Sequence, residues 1–190
     1  MPSGPVEAET MIPSQKECFQ FMIKYGMLEN IKAHSVIVEQ VALHLARGLL
    51  KTGLPISLER VTAGALMHDI GKTMCLNSSD DHAAKGMEIC LDNDLYEIAD
   101  IVGEHVRLRD YSPSSPIGEK EVVYYADKRV NHDVIVSLDE RLAYLLERYG
   151  KNRESICKRI RGNLEQCRAL EKRLFTKLPF GPEDLNNLGQ

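Results

Sequence analysis

No apolar run in this 190-residue sequence approaches the roughly 20 residues that a membrane-spanning helix needs, and 27% of the residues are charged, which excludes a helical membrane protein and implies a soluble one. The opening MPSGPVEAETM lacks the basic and apolar regions of a secretory signal, so a cytoplasmic protein is expected. The five cysteines include no CxxC pair, and in a reducing compartment they read as free thiols that mostly pack. There is no basic excess: the net charge is −4, which argues against nonspecific nucleic-acid binding as the main task. Repeats and low-complexity tracts are missing, as is any convincing alternation of apolar and polar residues that would mark a strand. What is there to be explained is histidine, present six times.

Apolar residues recur at spacings of three and four almost throughout, so the expected fold class is all-α, with helices over 14–25, 33–51, 57–68, 81–92, 95–107, 119–131, 138–149 and 152–176. Two S-x-x-E capping boxes, Ser14 with Glu17 and Ser137 with Glu140, mark helix starts. Gly53-Leu54-Pro55, Asn77-Ser78-Ser79 and the stretch from Arg109 to Gly118 supply breaks. This divides the chain into an extended or disordered start (1–13), a compact helical domain (14–150), a C-terminal amphipathic helix (151–178) and a tail (179–190). Residues 151–177 hold nine Lys/Arg against three Asp/Glu, a local +6 that leaves −10 elsewhere. The apolar stripe Ile156, Ile160, Leu164, Cys167 and Leu174 suits packing on the acidic body or on a second subunit, which allows a homodimer. The same charge would also suit an anionic partner.

Four histidines and two aspartates fall on the apolar stripes of five helices. His34 begins the stripe of Ile37, Val38, Val41, Leu45 and Leu49. His68 ends that of Leu58, Val61 and Ala65, with Asp69 next to it; His82 shares a face with Gly86, Ile89 and Cys90; His105 follows Leu95, Ile98 and Val102; and Asp127 sits between Val123 and Val130. Unpaired buried carboxylates and imidazoles cost several kcal/mol each, roughly, so the set makes sense around a cation. This donor chemistry suits Fe, Mn, Zn, Co or Ni. Neighbouring helical residues point about 100° apart, so His68 and Asp69 can serve one site only at a helix end, which Gly71 provides. His44, beside Gln40 and Arg47, reads as solvated, and His132-Asp133 as a repeat of the dipeptide off the stripe. Gly71-Lys72-Thr73 is not the end of a P-loop, because Leu66 stands where the earlier glycine is required.

His34, then His68-Asp69-Ile70-Gly71-Lys72, then Asp127 in YYADKRV resembles the signature of the HD superfamily of metal-dependent phosphohydrolases, over roughly residues 30 to 150. With His82 and His105 added, the sequence is similar to the variants of that superfamily that hold two metals. The resemblance implies a compact helical bundle and two divalent ions, Fe or Mn foremost. His34, His68, Asp69 and Asp127 would hold one ion, and His82 and His105 the other, with Asp69 bridging. It further implies that a metal-activated water attacks a small phosphorylated substrate, a nucleotide or another phosphate mono- or diester, with Asp69 and Lys72 as catalytic groups. Arg129, Lys128, Arg107 and Arg109 are the candidate phosphate clamps. The pattern departs from the HD-GYP type, which has a doubled histidine where this chain has Glu104-His105. Two other readings share the ligand order: a mixed-valent di-iron oxygenase, and a noncatalytic metal- or nucleotide-binding regulatory module. Neither a membrane nor nucleic acid is expected as a main partner.

Overall fold

A computed structural model describes residues 11–78, 80–109, 111–151 and 153–189. Eight α-helices are described: α1 (Gln15–Lys24), α2 (Glu29–Lys51), α3 (Leu58–Met67), α4 (His82–Leu91), α5 (Tyr96–Glu104), α6 (Glu119–Lys128), α7 (Leu138–Tyr149) and α8 (Glu154–Phe175). Short 3-10 turns at Thr73–Cys75 and Pro182–Gly189 complete the helical content, so the fold class is all-α. Both capping boxes form as expected. Ser14 and Ser137 accept from the backbone N–H of Glu17 and Glu140, whose carboxylates bind back to the cap residues. The expected extended start lies mostly in residues 1–10, outside the described ones.

The 23-residue α2 is the central strut, with α3 and α6 packed on it. Around this trio α5 lies on α3 and α6, α4 pairs with α5, and α1 rests on α3. The core between them is aliphatic: Val38, Leu45, Leu49, Val61, Leu66, Ile98, Val102 and Val122 are fully buried or nearly so. On the outer flank α8 packs on α6 and α7 through Leu164, Cys167, Leu170 and Leu174. Ile156 and Ile160, at the start of the expected stripe, are only half-buried.

Two expectations are corrected. The helix expected over 119–131 stops at Lys128, and a two-residue antiparallel hairpin follows, pairing Val130 with Ile135 and Asn131 with Val134. Strands this short fall below any window in which alternation could be detected. His132 forms the turn with φ 54°, a left-handed conformation a helix cannot contain. His44 is not solvated: it is half-buried, its ring 4.5 Å from that of Phe180, because the chain after α8 folds back over α2.

One glycine is required by contact. A Cβ on Gly71 would stand 2.6 Å from the His82 carbonyl oxygen and 2.7 Å from the Gly86 nitrogen, both backbone atoms. The turn after α3 thus lies directly against α4, and this approach brings His82 beside Asp69.

Candidate metal centre

His68 and His105 occupy equivalent places, each the cap residue at the C-terminal end of a helix, α3 and α5 respectively. In both, Nδ1 donates to the carbonyl three residues back, at 2.6 Å to Ala65 and 2.6 Å to Val102. The Nδ1 of His34, in the first half of α2, donates to the carbonyl of His132 at 2.7 Å. A carbonyl can only accept, so these three rings carry a proton on Nδ1, and in the neutral form that binds a metal the Nε2 lone pair is left for another partner. Metal-ligating histidines are commonly held in this way.

The Nε2 atoms converge on Asp69, which is held in the turn after α3 by Met67 O to Ile70 N (2.9 Å) and Asp69 O to Lys72 N (2.9 Å). Its two oxygens look opposite ways. Oδ1 lies 3.4 Å from His82 Nε2 and 3.4 Å from His105 Nε2, which are 3.2 Å apart. Oδ2 lies 3.4 Å from His68 Nε2 and 3.9 Å from His34 Nε2. Asp127, near the end of α6, closes that second side, its Oδ1 3.1 Å from His34 Nε2 and 3.8 Å from His68 Nε2. Two triads, His34–His68–Asp127 and His68–Asp69–His105, have their ligand atoms within 4.8 Å of one another and could each hold a metal ion.

The residues fit such ions on a further ground. Among the described residues, the buried His68 Nε2 has no hydrogen-bond partner. A buried lone pair without a donor is costly unless a cation completes it. Burial is the main cause holding His105 down, to about 4, so it is neutral at pH 7. Burial pushes the Asp69 carboxyl up, but the charges of His68 and Lys72 outweigh it and hold the group well below the usual range. Asp127 shows the same opposition, with burial overcome chiefly by Lys128. Burial would lower His68, and the neighbouring Asp69 raises it instead: the positive charge that Asp69 draws to this ring is the charge that a cation at Nε2 would supply.

All six sequence candidates for ligands are thus brought together, with His82 the most open at 29% side-chain exposure. Lys72 joins them, its ammonium 2.7 Å from Asp69 Oδ2. Burial opposes its charge, but Asp69 wins and keeps it protonated. The four candidate clamps part company. Lys128 is buried at the cluster, but it donates to Asp127 Oδ2 at 2.6 Å and to the His105 carbonyl at 2.8 Å. It therefore ties together the segments that carry Asp127 and His105, and its ammonium is committed to both. Arg129 is a correction: it points the other way, to Tyr125 Oη (2.7 Å), the Val136 carbonyl (2.6 Å) and the Pro182 carbonyl (3.0 Å). There it lines a cavity of about 520 Å3 with Asp139, Arg168 and Lys172, clear of the cluster. Residues two apart on a helix point about 200° apart, which separates Asp127 from Arg129. Arg107 and Arg109 are exposed after α5, and no contact joins their side chains to the cluster among the described residues.

Arg141 is a site residue that the sequence reading missed. Its Nη2 is 3.7 Å from Asp127 Oδ1, and its Nη1 donates to Asn131 Oδ1 at 2.7 Å. A signal was present: Arg141 shares a stripe with Leu138, Leu142 and Leu145 on α7, the same anomaly that marked the histidines.

A family model described as HD domain matches residues 31–132. The chain is 30% identical to a tRNA (cytidine(56)-2'-O)-methyltransferase of Picrophilus torridus over 79% of its own length and 45% of the relative's. It is 32% identical to the protein of the same name in Thermoplasma volcanium, over 55% of this chain and 29% of that one. It thus spans less than half of either methyltransferase. An uncharacterized protein of Methanocaldococcus jannaschii is 28% identical over 67% of this chain and 82% of its own. No solved structure gives a significant match.

Proposed function

The chain belongs to the HD-domain family, and from that premise we propose that it is a metal-dependent phosphohydrolase acting on a nucleotide or another small phosphate ester. The observation that carries the reading is Asp69, whose two oxygens face two separate sets of imidazole Nε2 atoms within one buried cluster. In this reading His34, His68, Asp69 and Asp127 would hold one divalent ion, and His82 and His105, with Asp69, would hold a second; Fe or Mn are the first candidates. Such ions supply Lewis acidity toward phosphoryl oxygens and make water more acidic near neutral pH. The methyltransferase name stays with relatives that this chain only partly spans, and the reading rests on the chain's own cluster.

The protein's own groups favour an anionic substrate. Two carboxylates, Asp69 and Asp127, face three fixed cations, Lys72, Lys128 and Arg141. Lys72 is 37% exposed and His82 29%, so both are open to solvent beside the buried Asp69. An ammonium held there beside Asp69 offsets negative charge on a phosphoryl group, and its raised pKa suits it to that electrostatic role and not to giving up a proton.

The test is metal analysis of protein purified without a chelating tag, followed by a nucleotide and phosphodiester panel with the metals found. About two ions per chain and hydrolysis of at least one panel member are expected. Metal-loaded protein that hydrolyses none of the panel overturns the reading. Iron that gives a half-reduced paramagnetic pair and consumes O2 with an organic substrate replaces it with an oxygenase.

A further inference from the structure

Helix α8 divides its cations into two groups. Toward its C-terminal end they are used within the chain: Arg168 pairs with Glu165 and Asp139, and Arg173 donates to Tyr111 Oη and to the Ser112 and Ser115 carbonyls. Toward its N-terminal end they are not. Arg153, Lys158, Arg159 and Arg161 are exposed, and their side chains make no hydrogen bond or ion pair among the described residues. Glu154 is the one carboxylate between residues 153 and 163. Lys158 and Arg161 are neighbours three residues apart and Arg159 flanks them, so the three share the outer side of the helix.

Asn163 extends this strip onto a second segment. It lies one turn after Arg159, and its Nδ2 donates to the Val106 carbonyl at 2.9 Å. That bond draws the chain after α5 against α8. There Arg107 and Arg109 are exposed on either side of the buried Leu108, their side chains likewise unpaired among the described residues. The net charge of −4 conceals this flank, because it averages +6 over residues 151–177 with −10 elsewhere. A polyanion is repelled by the acidic remainder and drawn to this side, so the charge orients a partner as well as attracting it. Gly162 is an independent feature of the same strip. A glycine inside a helix is unfavourable relative to alanine, yet a Cβ here would meet nothing within 4 Å, so no packing within the chain requires it. Ser155 and Gly162, both exposed, sit one turn to either side of Lys158 and leave the helix backbone open to close approach from outside.

We propose that this strip is a docking surface for double-stranded RNA, held through its phosphates. Five of the six cations are arginines, whose planar fork matches a phosphate. The apolar side of α8 is spent on α6 and α7, and no large apolar residue of the helix is exposed. It therefore offers a membrane nothing to insert and a protein partner no anchor to bury. Nor does it expose an aromatic ring on which the bases of a single strand would stack. With α7 along its inner side and the Arg107–Arg109 segment on its flank, α8 does not stand clear of the body as a helix entering the major groove of DNA must. A low, broad strip suits the wide, shallow minor groove of an A-form duplex and the phosphates beside it. The surface goes beyond the phosphohydrolase reading and does not depend on it.

The test is fluorescence anisotropy of the full chain across a salt series, with an RNA duplex of roughly 20 base pairs, the DNA duplex of the same sequence and the single RNA strand as probes. The wild type is expected to bind the RNA duplex with a Kd on the order of micromolar at low salt, and the other two probes at least about fivefold more weakly. Lys158→Gln, Arg159→Gln and Arg161→Gln combined should weaken RNA binding by about thirtyfold or more and lower the slope of log affinity against log salt by about 3. Arg107→Gln with Arg109→Gln should lower that slope by about 2. These side chains are exposed and unpaired, so urea midpoints of the charge variants should match the wild type. Gly162→Gln should raise the urea midpoint and yet weaken RNA binding by about threefold, a combination that a merely structural glycine would not give. Absence of RNA binding at low salt, or a salt slope indifferent to Lys158, Arg159 and Arg161, overturns the proposal. So does binding of the DNA duplex or the single strand as tightly as the RNA duplex, or full RNA affinity in Gly162→Gln. Phosphatidylglycerol vesicles that carry the chain down while RNA goes unbound assign the strip to a membrane surface instead.

Discussion

The dipeptide His-Asp occurs twice in this chain, and the two copies have opposite fates. His68-Asp69 is buried at the end of α3, with both side chains turned to the interior and one ring nitrogen lacking any partner among the described residues. His132-Asp133 is exposed at a hairpin turn, where His132 contributes its backbone carbonyl to His34 and its ring to Tyr144. The same two letters are a candidate ligand pair in one place and a scaffold in the other. The end of α6 repeats the lesson at closer range. Asp127 and Lys128 face a cluster with uncompleted donors and acceptors, whereas Arg129 enters a network in which Tyr125, Val136 and Pro182 all accept from it. A buried polar group whose partners are complete stabilises the fold; one whose partners are missing marks the place where something else binds.

The comparison can be broken most decisively at the dipeptides. His68→Ala and Asp69→Ala are each expected to cut activity by more than the roughly 10–100-fold associated with losing an outer partner of a metal, and to lower metal content. Asp133→Ala, on the exposed copy, should leave both within twofold. Equal losses from the two copies would end the distinction drawn here.

The next largest effect belongs to the completed network. Arg129→Met removes a cation from buried acceptors and should destabilise the protein by about 2–4 kcal/mol in urea unfolding, with metal content per folded chain unchanged. If metal is lost with little change in stability, Arg129 belongs to the site after all. Gly71→Ala should cost about 1–3 kcal/mol, because the added Cβ meets backbone atoms of α4 that cannot yield as a side chain would. It should also displace His82, so metal content is expected to fall below wild type, which separates it from Arg129→Met. The smallest effect is expected at His132→Gly. The carbonyl that holds His34 remains and the left-handed turn is relieved, so stability should change by less than about 1 kcal/mol and metal content not at all.

Much of this was legible before any coordinates. The helical spacing places the ends of α1, α3, α4 and α7 within a residue or so of where they fall, because capping boxes and apolar stripes are local signals. The six His/Asp candidates were legible for the same reason: each interrupts an apolar face. Arg141 carried that same signal on a helix whose inner face was not known to border the cluster. The hairpin after Lys128 was not legible, since its strands are two residues long. Arg129 was misread because a charge beside a motif residue looks like part of the motif, and only the direction of the side chain tells otherwise.

The sequence by itself determined the helices, the identity of the polar residues set on their buried faces, and the glycine that lets the turn after α3 approach α4. These depend on interactions within a few residues. Tertiary structure alone decided that Asp69 turns its two oxygens to two sets of imidazoles, that three of those rings hold their proton on Nδ1, and that Lys128, Arg129 and Arg141 take three different parts. Those facts turn on contacts between residues as distant as 34 and 127, and on which way each helix is rotated when its apolar face is buried. Periodicity identifies the face that goes inward; only packing against the neighbouring helices decides what that face meets.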